Sequence, residues 1–203
     1  MKKVILFFAV LFLMSGCSDA QRGNFFMFQN ANPGPCIGKS IGDTFGGGKI
    51  AYFYQVGDPG YISGECHGII VYSTDYISAV VWWFYQSGDP ATNATLSALG
   101  SGYTNTVQIF NTYGHGGAYA ANIAYAFWNY GGSGIDDWSI PTTYDLTAIE
   151  QNQTAIGGFD NTVLYWSSTE RSVSTAYCVS FIDGTTTYND KIVNHKIRLV
   201  RYF

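Results

Sequence analysis

The sequence predicts one mixed α+β domain, because strand patterns lie toward both ends of the chain and helix patterns lie between them. Charged residues make up only 12% of the 203 residues, about half the ~25% that is usual in soluble domains. Aromatic residues supply another 17%. Few charges and many large apolar side chains favour collapse, so the composition is not that of a disordered chain.

Six segments have the pattern of strands: short apolar or aromatic runs bounded by Gly, Asp or Pro. They are residues 49–54, 68–72, 80–84, 165–168, 176–181 and 196–203. Asp183 and Gly184 follow the fifth segment and form a tight-turn signal. We therefore expect the last two segments to pair as antiparallel strands at the C-terminus.

Two helices are predicted in the middle of the chain. In residues 118–130, apolar side chains recur at i, i+3, i+4 and i+7, and two glycines follow. In residues 141–150, a threonine cap and an acidic first turn precede Leu146 and Ile149. Both segments therefore have an apolar side to pack against a sheet.

The N-terminus has the pattern of a bacterial lipoprotein signal peptide. Lys2 and Lys3 precede an apolar run over residues 4–14, which is shorter than the ~20 residues of a membrane span. The Leu-Met-Ser-Gly-Cys segment that ends at Cys17 resembles a lipobox, in which this cysteine becomes the new N-terminus and carries acyl chains. The alternative is an ordinary secretory signal that is cut nearby.

These features divide the chain into a signal peptide (1–16), a lipidated tether (17–39) and a folded domain (40–203). A multiply acylated cysteine anchors a protein stably without a transmembrane helix. The polar residues after Cys17 suit a flexible tether. We therefore expect a lipid-anchored protein of the bacterial cell envelope, at the outer membrane or the cell surface.

The remaining cysteines fit an oxidising compartment. A disulfide between Cys36 and Cys66 would close a loop of about 30 residues and stabilise the domain by ~3 kcal/mol. Cys178 lies in an apolar segment and is expected to be a small buried side chain. No Cys or His pair has the spacing of a zinc site.

The sequence contains no catalytic or cofactor motif. His67, His115 and His195 share no metal-binding spacing, and the Asp136-Asp137 pair is either a calcium ligand cluster or a solvated turn. The net charge is −4, which does not favour a nucleic-acid partner. We expect no enzyme activity, no cofactor and no bound metal.

A series of motifs occurs in the order of a known bacterial family. Trp-Ser-Ile-Pro-Thr at 138–142 precedes an Asp-Leu pair at 145–146, Tyr-Trp-Ser-Ser-Thr-Glu follows at 165–170, and Arg-Leu-Val-Arg closes the chain at 198–201. This order resembles the C-terminal domain of the Legionella collagen-like adhesin and the Fibrobacter major paralogous domains. The resemblance covers roughly residues 40–203.

The resemblance implies a C-type-lectin-like fold, with two helices, an antiparallel sheet with paired terminal strands, and long irregular loops. Trp138 and Trp166 would pack in the core, and Glu170 would pair with Arg198 or Arg201. Family members are mostly surface proteins. The best-known one binds sulfated glycosaminoglycans, but polyanions need clustered Lys and Arg, which this acidic chain lacks.

The same fold also carries variable ligand-binding proteins diversified by retroelements, whose variable positions lie near the C-terminus. Tyr188, Asn189, Asp190 and Asn194 occupy that region here and are predicted to bind ligand, because Tyr and Asn give contact area and hydrogen bonds at low entropy cost. The alternative is that they are ordinary polar turn residues.

The leading hypothesis is a lipid-anchored surface recognition or adhesion module that binds an extracellular glycan or protein and is not catalytic. One alternative is a structural envelope or fibre component that acts by self-association. A second is a retroelement-diversified binding protein. An enzyme of the formylglycine-generating type would need a second cysteine near Cys178, and the other cysteines are distant in sequence.

Overall fold

The computed structural model describes residues 36–76, 78–130 and 134–203. The predicted signal peptide, the lipidation site Cys17 and residues 17–35 of the predicted tether lie outside these residues. The described chain combines helices with antiparallel strands, so the predicted α+β class is confirmed.

The largest sheet brings the two ends of the described chain together. Its antiparallel strands follow the order β1-β2-β3-β9. They are β1 (Thr44–Phe45), β2 (Gly48–Phe53), β3 (Gly68–Val71) and β9 (Val200–Tyr202). All four residues of β3 are buried, as expected for a central strand covered on both faces.

A three-stranded antiparallel sheet has the order β5-β6-β7. Its strands are β5 (Leu164–Glu170), β6 (Thr175–Ser180) and β7 (Thr186–Asp190). The turn between β6 and β7 contains Gly184 with a φ of 73°, which glycine adopts without steric cost. The remaining strands, β4 (Val80–Val81) and β8 (Asn194–His195), form a two-stranded pair.

The predicted pairing of segment 176–181 with segment 196–203 is wrong. The segment directly after the turn at Gly184 forms β7, and this strand pairs with β6. The C-terminal strand instead pairs with β3, where Ile70 lies opposite Arg201. The tight-turn signal was therefore correct, but the partner strand was the short polar segment immediately after it.

Four helices lie in the described residues, whereas the family resemblance implied two. They are α1 (Gly102–Tyr113), α2 (Ala120–Tyr130), α3 (Thr143–Gln151) and α4 (Gln153–Ile156). The helices predicted over 118–130 and 141–150 correspond to α2 and α3, while α1 and α4 were not predicted. Within the same described ranges, no helix is long and apolar enough to cross a membrane.

The two faces of the β5-β6-β7 sheet contribute to two separate cores. Trp166 and Cys178 pack on one face with residues of α1 and α2. Tyr165 and Val179 pack on the other face with residues of α3 and the main sheet. Trp138 and Trp166 are 2% and 0% exposed, which confirms their predicted place in the core.

The start of α3 is fixed by a capping box. The Thr142 side chain accepts the backbone N–H of Asp145, and the Asp145 carboxylate accepts the backbone N–H of Thr142. Asp145 also accepts the N–H of Gly100 at 2.9 Å and the hydroxyl of Tyr202 at 2.6 Å. Burial raises the pKa of Asp145, and these hydrogen bonds oppose the rise. One carboxylate thus joins α3 to a loop and to β9.

A disulfide joins Cys36 to Cys66, with their Cα atoms 5.0 Å apart. Cys36 is buried against Ile50 and Phe53 of β2. Cys36 is therefore tied to the main sheet, although the predicted tether extends to residue 39.

Replacing Cys36 and Cys66 together with alanine is expected to lower the free energy of unfolding by about 3 kcal/mol, because the reduced unfolded chain regains the entropy of a loop of about 30 residues. Urea unfolding of the variant and of the wild-type protein measures the difference. Reduction of the wild-type protein should give a similar loss. A change below about 1 kcal/mol in both experiments would contradict the expectation.

Candidate functional site

A groove of about 430 Å³ lies between the first turn of α3 and the β5-β6-β7 sheet. This volume is within the range of small-molecule binding sites. Its lining consists mainly of hydroxyl-bearing and aromatic side chains around one arginine. Six of the residues are Thr95, Ser97, Tyr144, Arg171, Tyr177 and Thr186.

The floor of the groove is the outward face of β6 and β7. Tyr177 of β6 lies directly opposite Tyr188 of β7, so their side chains project from the same face. Thr186 is on this face too, since side chains alternate along a strand. Val179, the next residue of β6 on this side, is covered by α3. The groove therefore begins where the helix stops covering the sheet.

Arg171 extends over the ring of Tyr188 at the edge of this floor. The guanidinium carbon is 3.7 Å from the ring centroid, the geometry of a cation–π contact. Among the described residues, Arg198 and Arg201 bind carboxylates, whereas Arg171 has no ion-pair partner. Because Arg171 is exposed, its N–H groups face solvent and can donate to a ligand.

Tyr144 forms the opposite rim. It is the second residue of α3 and 60% exposed, and its backbone N–H donates to Ser97 at 3.3 Å. The neighbouring Leu96 is held from two sides: its carbonyl accepts the Asn105 amide at 2.7 Å and the Thr169 hydroxyl at 2.9 Å. The rim loop is therefore fixed by buried polar side chains.

The wall behind the groove is held by a buried ion pair. Lys191 Nζ is 2.5 Å from Glu170 Oε1, and the two side chains are 0% and 3% exposed. The same carboxylate accepts the backbone N–H groups of Thr92 at 3.0 Å and Asn93 at 2.9 Å. Burial lowers the pKa of Lys191, and the contact with Glu170 opposes this decrease.

The predicted pairing of Glu170 with Arg198 or Arg201 is wrong. Arg198 Nε lies 2.7 Å from Asp75, and Arg201 Nε lies 2.7 Å from Asp137. Arg201 lies in β9 of the main sheet and Arg198 shortly precedes that strand, whereas Glu170 ends β5 and contacts Lys191, the residue that follows β7.

The structure distributes the predicted ligand-binding residues over several surfaces. Tyr188 and Asp190 share the groove face of β7, whereas Asn189 projects from the opposite face and lies 2.8 Å from His195 Nε2. Asn194 lies in β8 opposite Val81. Of these residues, Tyr188 lies beside the groove; the role of all four in ligand binding stays a prediction.

Neither the candidate calcium pair Asp136-Asp137 nor the thiol of Cys178 lines the groove. Asp137 accepts two hydrogen bonds from the Arg201 guanidinium at 2.7 and 2.9 Å. In the ranges that the structure describes, no group of three His, Cys, Asp or Glu side chains could hold a metal ion. Cys178 is buried and free, and burial raises the pKa of its thiol to about 11, which disfavours the reactive thiolate.

No protein-family model matches this sequence, and no curated protein matches it. Among solved structures, the chain is similar to a fimbrial protein from Bacteroides ovatus, with 14% sequence identity and a TM-score of 0.46. The match covers 68% of this chain and 36% of the fimbrial protein, so it spans only about a third of that protein's length.

Proposed function

We propose that this chain is a non-catalytic recognition module of the bacterial cell surface and that it binds a saccharide in the groove between α3 and the β5-β6-β7 sheet. The observation that carries the proposal is the lining: two tyrosines, one uncommitted arginine and several hydroxyl groups. Saccharides present apolar ring faces and many hydroxyl groups. Tyrosine rings pack against the apolar ring faces, and threonine, serine and arginine side chains form hydrogen bonds with the hydroxyl groups.

The rigidity of the groove supports this proposal. Its rim loop is held through Leu96 by Asn105 and Thr169, its wall by Glu170, and the start of α3 by Asp145. A site that is already ordered loses little conformational freedom when ligand binds. The groove can therefore bind a small ligand without first being reorganised.

The charge of the groove narrows the ligand class. The Glu170 carboxylate is neutralised by Lys191, which leaves Arg171 as the one uncommitted charge among the lining residues. One exposed arginine suits a neutral or singly acidic sugar. A polyanion would need several clustered cations.

Membership of the Legionella adhesin and Fibrobacter family, the C-type-lectin-like fold and lipid anchoring at Cys17 belong to this proposal as well. Their support is the order of the sequence motifs together with the position of two of them. The Pro-Thr motif provides the cap of α3, and the Tyr-Trp-Ser-Ser-Thr-Glu motif is β5. Both elements border the groove.

A glycan array with the purified wild-type protein and a Tyr144→Ala variant tests the proposed ligand class and site together. Tyr103→Ala is the matched control, because Tyr103 is also the second residue of a helix and is 41% exposed. We expect selective binding by the wild-type protein and by Tyr103→Ala, and its loss in Tyr144→Ala.

A silent array with folded wild-type protein would contradict the saccharide assignment and favour a protein ligand. Equal binding by all three proteins would place the site elsewhere. Circular dichroism of each variant shows whether a loss of binding reflects unfolding instead.

A further inference from the structure

The outer edge of β7 is an unpaired strand edge in the part of the chain that the structure describes. The outer edge of β5, by contrast, is covered by backbone hydrogen bonds: Trp166 N–H donates to Lys196 at 2.9 Å and Glu170 N–H donates to Ala94 at 2.7 Å. Ser139 covers β9 through two bonds with Val200. At the outer edge of β7, the Asp190 carbonyl accepts the N–H of Val193 from the following turn at 2.9 Å, whereas no described strand or backbone group bonds Thr186 or Tyr188 there.

The register of β6 and β7 shows which backbone groups face outward. Lys191 N–H donates to Ser174, and Ser180 N–H donates to Thr185, each at 2.9 Å. Inward and outward groups alternate along an antiparallel strand. The backbone groups of residues 187 and 189 therefore face β6, and those of 186, 188 and 190 face outward.

The sequence of β7 gives this edge little protection, since Asp190 is the one charged residue of the strand. Natural edge strands are commonly shielded by lysine, proline or a β-bulge. The five residues Thr-Thr-Tyr-Asn-Asp contain neither lysine nor proline, and their pairing with β6 has no register shift. The strand is regular, exposed at every second residue, and able to accept another strand.

We propose that β7 pairs with β7 of a second copy of this chain, antiparallel and centred on Tyr188. In this register Tyr188 lies opposite Tyr188 and Thr186 lies opposite Asp190, so outward backbone groups meet outward backbone groups. No like charges lie opposite one another. The pairing is related by a two-fold axis and is therefore closed, so it forms a dimer and not a fibre.

Exposed apolar side chains at both ends of β7 support this occupant. Ile182 precedes the strand and is 67% exposed, and Ile192 follows it and is 56% exposed. Antiparallel pairing brings Ile182 of one copy to the same end of the shared sheet as Ile192 of the other. Both residues would then lie at the ends of the new interface. This inference concerns an edge and does not depend on what the groove binds.

Cross-linking of the full chain through Tyr188→Cys tests the pairing. Two residues of a hydrogen-bonded antiparallel pair have Cα atoms about 5.5 Å apart, which is within the range of a disulfide. We expect mild oxidation to convert most of this variant to a covalent dimer on a non-reducing gel. Tyr144→Cys, at an exposed tyrosine of α3, should give at least roughly ten-fold less dimer, because it does not pair with itself.

Equal dimer yields from the two variants, or no Tyr188→Cys dimer, would overturn the proposal. A second variant tests the backbone contacts. Thr186→Pro removes an outward N–H and leaves the bonds to β6 intact. It should weaken dimerisation of the full chain in mild detergent by at least about ten-fold, with an unchanged circular dichroism spectrum. An unchanged dimer, or a monomeric wild-type protein, would also overturn the proposal.

Discussion

Replacing Lys191 with methionine is expected to lower the free energy of unfolding by about 3–5 kcal/mol. The substitution leaves the Glu170 carboxylate buried without its cation, although the N–H groups of Thr92 and Asn93 still donate to it. It also removes the ammonium that lies 4.4 Å from the centroid of the Trp82 ring. Urea unfolding at neutral pH measures the loss.

Lys196→Met is the matched control, since Lys196 is a half-buried lysine five residues farther along the chain. We expect it to change the free energy of unfolding by less than about 1 kcal/mol. The double variant Glu170→Met with Lys191→Met should recover part of the loss, because it removes both buried charges. A Lys191→Met variant as stable as the control would show that the pair does not hold the wall of the groove.

Replacing Arg171 with alanine is expected to weaken saccharide binding at least about ten-fold, or roughly 1.4 kcal/mol. The variant loses the one uncommitted cation of the groove and the group stacked on Tyr188. Arg171→Lys keeps the charge but lacks the planar fork of donors, so an intermediate affinity is expected. Titration calorimetry with a saccharide selected on the array measures all three proteins.

Lys39→Ala is the control for this substitution. Its ammonium lies over the Phe45 ring, 4.2 Å from the centroid, so a cation–π contact is lost there too, but away from the groove. We expect the affinity of this variant to be unchanged. Similar losses in Lys39→Ala and Arg171→Ala would indicate that Arg171 acts through overall charge and not through contact with the ligand.

The elements that the sequence predicted correctly have local signals. The strands β2, β3, β5 and β6 are dense in apolar or aromatic residues, and α2 carries an apolar stripe. The helix α3 begins with a threonine cap and an acidic residue three positions later. Each signal lies within a window of about ten residues, so it can be recognised in the sequence without knowledge of the fold.

The helix α1 was missed because its buried face is largely polar. Asn105 and Thr106 are 0% exposed, and their side chains bond Leu96, Ser168, Gly102 and Ile140. Polar residues on the packed face make the helical pattern of this segment harder to recognise, although Tyr103, Val107 and Phe110 recur at helical spacing. No local signal identifies the pairing of β9 with β3, since it joins segments more than a hundred residues apart; the family resemblance implied only that terminal strands pair.

The groove could be predicted only in part. Tyr188 was identified from its residue type and its place near the C-terminus, and it lies beside the groove. Tyr144 belongs to a different element, α3. It lines the same groove because the first turn of α3 lies at the point where the helix no longer covers the sheet. The ion-pair partner of Glu170 could not be predicted either, because the sequence around a carboxylate does not indicate which distant cation lies next to it in the fold.

The most direct test of the groove as the binding site is amide chemical-shift mapping of nitrogen-15-labelled protein during titration with the strongest saccharide from the array. We expect the largest shift changes at Ser97, Tyr144, Arg171 and Tyr177, saturating at one ligand per chain. Shift changes that centre on β8, near Asn194, and leave these residues unmoved would contradict the proposed site.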